Sequence, residues 1–207
     1  MEQNRGKTAQ PSLVYRPPSY VEPLDLAKLF PKPQPLEVEL GCGDGSFLVH
    51  WAKVHPQHSF LGVERLLGRL RKADRKGLRA GLSNLRLLRI EASYFVKYLL
   101  PPESVRALHI YFPDPWPKRK HRKHRLVNED FTRVAARVVA PEGTVFLRTD
   151  DADYFSQMNL AFKTNAQFCV AETPADLSAT LTDFERGFQK RGVATWRAAY
   201  QRTTANI

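Results

Sequence analysis

From residue 36 onward, short apolar runs alternate with longer amphipathic stretches, and this alternation predicts strands and helices in succession. Strands are expected over residues 36–40, 59–64, 85–91, 105–112 and 143–150, with helices over 46–53, 66–80, 93–100, 129–140 and 152–164. Two further strands, near 168–172 and 193–202, would close the sheet. The pattern is that of an α/β fold with a mostly parallel, seven-stranded, doubly wound sheet and helices on both faces. The first 35 residues have a different texture. Seven of the 15 prolines fall there and interrupt any periodic pattern. An extended Pro-rich arm over 1–35, with at most a short helix near 25–30, is expected to precede a single domain over 36–207.

Composition narrows the partners. The chain has 207 residues, 43% of them hydrophobic, which is enough for one sizeable core. It carries 32 Lys and Arg against 21 Asp and Glu, a formal net charge of +11. Such a balance favours polyanions, nucleic acid first and an acidic membrane surface second. No apolar run is long enough to span a bilayer, and the first residues lack the apolar core of a secretory signal. A soluble, cytoplasmic protein is therefore expected. Cys42 and Cys169 form no CxxC pair, and the HxxH spacings at His55/His58 and His121/His124 lack a third ligand, so no disulfide and no metal site are expected.

In an open parallel sheet, ligands bind beyond the carboxyl ends of the strands. All five predicted strand ends carry an acid: Glu39, Glu64, Glu91, Asp114 and Asp150. After the first strand, "EVELGCGDGSF" places Gly41, Gly43 and Gly45 in the turn where side chains would block a ligand from the backbone. The spacing is GxGxG, with Ser46 where a nicotinamide-binding turn has its third glycine. Glu39, just before the loop, would repel a pyrophosphate but suits a ligand with a cationic amino group. Glu64 ends the next strand at the offset where a carboxylate can accept from a ribose diol. S-adenosylmethionine matches this set: its amino acid end at Glu39, Gly41 and Gly43, its ribose at Glu64, its adenine beside Glu91.

The stretch "YFPDPWPKRKHRKHR" follows the fourth predicted strand. Pro113 and Pro115 fix the backbone on either side of Asp114, which aims a single carboxylate at the switch region. Six Lys or Arg and two His follow without an acid. Together with the glycine loop, "RTDDADYF" and "LTDFERGFQKRG", this stretch resembles the tRNA (guanine-N7-)-methyltransferase family of the bacterial TrmB type, from about residue 36 to the C-terminus. The resemblance implies a Rossmann-like S-adenosylmethionine-dependent methyltransferase fold. It also implies methyl transfer to N7 of a guanine in the tRNA variable loop, position 46. By the same resemblance Glu39, Glu64, Glu91 and Asp114 line the cofactor site. Lys118, Asp150, Thr182, Asp183, Phe184 and Glu185 face the substrate. Glu91 departs from the Asp or Asn usual for the family at that strand end.

The chemistry agrees with these residues. Guanine N7 has an in-plane lone pair and no proton to lose, so alkylation needs positioning more than a general base. A carboxylate accepting from the guanine N1 and N2 hydrogens would also favour the positive charge that develops on the ring. Asp114 is the expected catalytic residue, with Asp150 and Glu185 next. Lys120, His121, Arg122, Lys123, His124 and Arg125, after Lys118, are expected to grip neighbouring phosphates, with Trp116 a candidate to stack on the base. Thr182 and Glu185 have the spacing of a helix capping box. Two other readings compete: a catalytically silent RNA-binding protein on this fold, and a methyltransferase acting on a different nucleobase nitrogen.

Overall fold

The computed structural model describes residues 12–204. The first eleven residues of the expected arm and the last three of the chain lie outside them. Among the described residues, eight strands form one sheet in the order β1-β4-β3-β2-β5-β6-β8-β7. They are β1 (Val14–Tyr15), β2 (Leu36–Leu40), β3 (Ser59–Val63), β4 (Leu85–Leu88), β5 (Val105–Tyr111), β6 (Val139–Thr149), β7 (Phe168–Ala171) and β8 (Trp196–Arg202). β1 to β6 run parallel; β8 is antiparallel to both β6 and β7. The strand order reverses between β2 and β5, so a crevice opens above their carboxyl ends.

The helices divide between the faces. On one side α2 (Ser46–Val54), α3 (Leu67–Arg79) and α7 (Ala175–Ala179) cover a core that includes Phe47, Leu70, Phe60, Leu87 and Tyr111. On the other, α1 (Leu26–Leu29), α5 (Glu129–Val138), α6 (Ala152–Lys163) and the segment after β4 cover Val38, Leu61, Ile110, Tyr154 and Phe162. α5 and α6 start where the sequence supplies caps. Asn128 accepts from the Phe131 amide and Asp151 from the Tyr154 amide. α8 (Asp183–Lys190) follows α7.

The mostly parallel α/β architecture agrees with the expectation, with one strand more than the seven read from the pattern. The addition is β1, two residues in the proline-rich segment, too short to leave a periodic signal. Its pairing covers the edge of β4, with the Leu87 amide donating to the Leu13 carbonyl at 2.9 Å. Leu24, Leu29 and Phe30 are buried under the other face, so the segment from residue 12 wraps the sheet. Several boundaries also moved: β6 starts at Val139 rather than residue 143, and β8 at Trp196 rather than 193. β4 stops at Leu88 rather than residue 91, because Glu91 turns its carboxylate onto the Ser93 and Tyr94 amides and caps α4 (Ala92–Tyr94). That helix then widens into a π turn over Phe95–Leu99.

In "LEVEL" the apolar side chains enter one core, while Glu37 and Glu39 lie buried on the opposite face. Glu37 is fully satisfied there. His58 Nδ1 meets its Oε1 at 2.6 Å, while Trp51 Nε1 donates to Oε2 at 2.9 Å and His109 Nε2 meets the same oxygen at 2.8 Å. Burial alone would raise its pKa, but the hydrogen bonds and charge of His109, with those of His58 and Trp51, hold it down to about 2. A depressed carboxylate contributes stability above its unfolded pKa of 4.5 and loses it as pH falls toward 2. Near neutral pH, Glu37→Gln is therefore expected to lower the unfolding free energy by about 2–3 kcal/mol. Urea titrations at descending pH should show that deficit shrinking between 4.5 and about 2. A constant deficit would mean that Glu37 contributes by shape alone.

Candidate active site

The loop between β2 and α2 crosses the crevice. The Gly41 and Cys42 amides donate to the Val63 carbonyl at 2.8 and 2.9 Å, tying the loop to β3. Gly41, Gly43 and Gly45 all have left-handed φ, of 78°, 56° and 74°. Their surroundings differ. A Cβ on Gly45 would lie 2.7 Å from Ala73 Cβ, so this glycine lets α2 pack on α3. A Cβ on Gly41 would meet nothing within 4 Å, and one on Gly43 only the Gly41 carbonyl at 4.0 Å. Those two present bare backbone to open space, which is a cradle for a ligand.

Beneath the cradle lies Glu39, 5% exposed, and among the described residues its Oε2 has no hydrogen-bond partner. Burial pushes its pKa up to about 8; the Arg148 charge opposes the shift, and Asp44 and Glu64 reinforce it. A buried acid without a partner is the arrangement that an incoming ammonium would complete. Glu64 stands beside it at the end of β3. Its Oε2 accepts from the Gly43 amide at 3.1 Å and its Oε1 from the Leu66 amide at 2.7 Å. Each oxygen retains a second acceptor direction for hydroxyl groups. Asp44, on the loop's outer side, is bound by Lys76 at 2.7 Å and by Ser46 at 2.8 Å. The residues present thus fit S-adenosylmethionine: an acid for the amino group, bare backbone for its chain, a carboxylate for a ribose. Glu91 is exposed, with its carboxylate spent on the α4 cap, and edges a cavity of about 550 Å³ that also includes Lys123 and His124.

After β5 the chain is strained. Phe112 and Trp116 have φ of 50° and 43°, a conformation that costs a bulky residue on the order of 1–3 kcal/mol. The Phe112 amide is anchored on the Arg148 carbonyl at 2.8 Å. Between the two strained residues sits Asp114, exposed and, among the described residues, without a hydrogen bond or ion pair. Trp116 packs at 5.8 Å against His121 and at 5.1 Å against His124, so its ring supports the basic run.

That run forms a 3-10 helix over Arg119–His124. Lys118, Lys120, Arg122, Lys123 and His124 are exposed and His121 is partly covered. Arg122 pairs with Asp153 at 3.1 Å. Arg125 departs from the expected phosphate grip. It is 2% exposed, and its guanidinium donates to Pro115 O at 2.7 Å, Gln157 Oε1 at 2.8 Å and Asp153 Oδ2 at 2.7 Å, above the Tyr154 ring. Buried and bound to three acceptors, Arg125 clamps the Asp114 loop onto α6 instead of presenting a free guanidinium at the surface.

α8 closes the site from above. Thr182 and Glu185 form the expected capping box. Glu185 does not face open space as a substrate contact would. At 1% exposure its Oε2 takes Arg148 Nη1 and the Thr182 amide, each at 2.8 Å, and its Oε1 takes Arg197 Nη2 at 2.6 Å. Burial favours the neutral acid, but the Thr182 amide, Arg148 and Arg197 outweigh it and hold the carboxyl below its ordinary range. Asp183 pairs with Arg186 at 2.6 Å, Phe184 is exposed, Thr182 is buried, and Asp150 is partly buried at the end of β6. Sequence reasoning missed Arg148 and Arg197. Arg148 was detectable as a lone cation inside the apolar strand "TVFLRTD", where burial demands a partner.

Comparison with known proteins agrees with this architecture. A family model described as "Putative methyltransferase" matches residues 33–198. The chain is 32% identical to the tRNA (guanine-N(7)-)-methyltransferase of Sodalis glossinidius, over 88% of this chain and 78% of that one. It is 33% identical to the Geobacillus kaustophilus enzyme of that name, over 82% and 80%. The Thermotoga maritima enzyme is 32% identical over 84% of this chain and 56% of its own. The chain spans only 56–60% of the length of three such curated relatives. Among solved structures, the 16S rRNA methyltransferase KamB superposes with a TM-score of 0.64 at 16% identity, over 88% of this chain and 95% of that one. TrmN from Thermus thermophilus gives 0.59 at 19%, over 86% and 47%. These likenesses establish the Rossmann-like methyltransferase fold. With the glycine cradle, the acids around it and the matched length, the chain belongs to the tRNA (guanine-N(7)-)-methyltransferase family.

Proposed function

We propose that this chain transfers a methyl group from S-adenosylmethionine to N7 of a guanine in the tRNA variable loop, in the cytoplasm. The observation that carries the reading is the buried Glu39, whose Oε2 has no partner among the described residues, beneath the open backbone of Gly41 and Gly43. S-adenosylmethionine supplies an electrophilic methyl on a sulfonium. Glu39 receives the amino group and Glu64 the ribose hydroxyls, which fixes the direction of the methyl. Asp114, held by prolines between two strained residues, accepts from the guanine N1 and N2 hydrogens and orients N7 in line. Its charge also stabilises the cationic product ring. Phe184, exposed at the start of α8, offers a face for the base, while Lys118, Lys120 and Lys123 take phosphates. Asp150 and Asp183 lie on the substrate side. In an A-form stem N7 lies in a deep, narrow groove, so the guanine must be exposed from its stack before it reaches Asp114.

Incubating the protein with unmodified tRNA and labelled cofactor, then digesting to nucleosides, tests this directly. N7-methylguanosine is the expected product. A different methylated nucleoside would support a methyltransferase acting on another nitrogen. Cofactor that fails to bind at millimolar concentration would support a silent RNA-binding fold.

A further inference from the structure

The basic run is clamped to α6, on one side of the sheet. A second concentration of positive charge lies on the other side. α3 packs through Leu70, Ala73 and Gly77 and carries six Lys or Arg in 13 residues. Arg69 and Lys72, three apart, share a face, and Lys76, one turn further on, bonds Asp44 and Ser46 of the glycine loop. That face is therefore turned toward the cradle. Opposite it, α8 presents Phe184 and Gly187, with Arg191 as its C-cap, and between the two helices opens a cavity of about 390 Å³ that reaches Gly43.

The charge in this cavity is unbalanced. Its two acids are neutralised, Asp44 by Lys76 at 2.7 Å and Asp183 by Arg186 at 2.6 Å. Arg69, Lys72 and Arg191 are exposed and, among the described residues, pair with no acid. Three uncompensated cations around one concavity suit a phosphodiester. Gly187 contributes by its lack of a side chain. A Cβ there would meet only Arg191 Nη1, at 3.9 Å, so packing does not require glycine; a larger residue would project into the groove.

We propose that the groove between α3 and α8 grips RNA backbone phosphates through Arg69, Lys72 and Arg191, as a second anchor across the glycine loop from the basic run. The inference rests on the tRNA reading above. Two anchors on opposite sides of the crevice hold the strand on both flanks of the guanine, so that Asp114 and Phe184 receive a nucleotide already drawn out between them.

The test uses the full chain with the combined substitutions Arg69→Ala, Lys72→Ala and Arg191→Ala, and separately Gly187→Met. The triple variant is expected to raise KM for tRNA by 10-fold or more, leave the cofactor Kd within about twofold, and flatten the salt dependence of RNA binding by about 0.7–0.9 in log–log slope per phosphate lost. Gly187→Met, which replaces a weak helix former by a strong one, is expected to keep or raise Tm while also raising tRNA KM. A wild type that methylates no tRNA overturns the underlying reading and this inference with it. A wild type that methylates while both variants keep its tRNA KM overturns this inference alone. So does a triple variant whose only loss is cofactor affinity, since the cations would then serve the cofactor's carboxylate.

Discussion

Asp114→Ala is expected to lower kcat by about 10²–10³-fold, the usual effect of removing one group that stabilises charge in a transition state. Its carboxylate makes no bond to the rest of the described protein and is exposed, so Tm should stay within experimental error of the wild type. The backbone around it is fixed independently of the side chain. Phe112 and Trp116 are both held at positive φ, and Arg125 locks the Pro115 carbonyl to α6, so the loop holds the position that Asp114 occupies. Asp114→Asn separates the two contributions of the carboxylate. The amide keeps one acceptor but loses the charge, and its NH₂ opposes the guanine donors. It should fall close to the alanine variant, measured as single-turnover methylation with saturating tRNA and cofactor. Wild-type kcat in Asp114→Asn would remove Asp114 from the reaction and turn attention to Asp150.

What could be read from the chain follows the range of the interactions involved. The strand and helix succession is a local pattern, as are the glycine turn and the Thr182–Glu185 cap, and each reappears in the structure. Glu39 and Glu64 were also within reach, since residues that end parallel strands converge whatever the rest of the fold does. Arg125 was not. In "KRKHRKHR" it is indistinguishable from its neighbours, and its burial depends on Asp153 and Gln157, 28 and 32 residues away. The burial of Glu185 was hidden for the same reason: its partner Arg148 is 37 residues distant. The capping role of Glu91 was hidden for a different reason, because a carboxylate at the end of a predicted strand cannot be told from a cap until the strand's last residue is known. The proline-rich segment hid β1 because two residues paired at an edge need no periodicity of their own.

Glu39→Gln should have two opposite effects, a more stable free protein and a poorer cofactor site. Burial raises the folded pKa of Glu39 to about 8, against 4.5 for the unfolded chain. As pH rises through 4.5 the unfolded chain releases this proton while the folded protein keeps it, so stability falls up to about pH 8 and is level beyond. At about pH 7, roughly 2.5 pH units above the unfolded pKa, the penalty is about 3 kcal/mol. Glutamine is neutral at every pH and escapes that penalty. Without ligand, Glu39→Gln is expected to raise Tm at neutral pH by about 2–4 °C per kcal/mol recovered, the gain vanishing as pH falls below 4.5. With S-adenosylmethionine the order reverses. An ammonium beside Glu39 favours the carboxylate, so binding near neutral pH must expel the proton that the free protein holds. Calorimetry in buffers of different ionisation enthalpy should therefore detect proton release from wild type and little from Glu39→Gln, whose affinity should drop by 10-fold or more. A variant that is less stable than wild type at neutral pH and binds the cofactor undiminished would make Glu39 a purely structural acid, and the cradle above it would need another occupant.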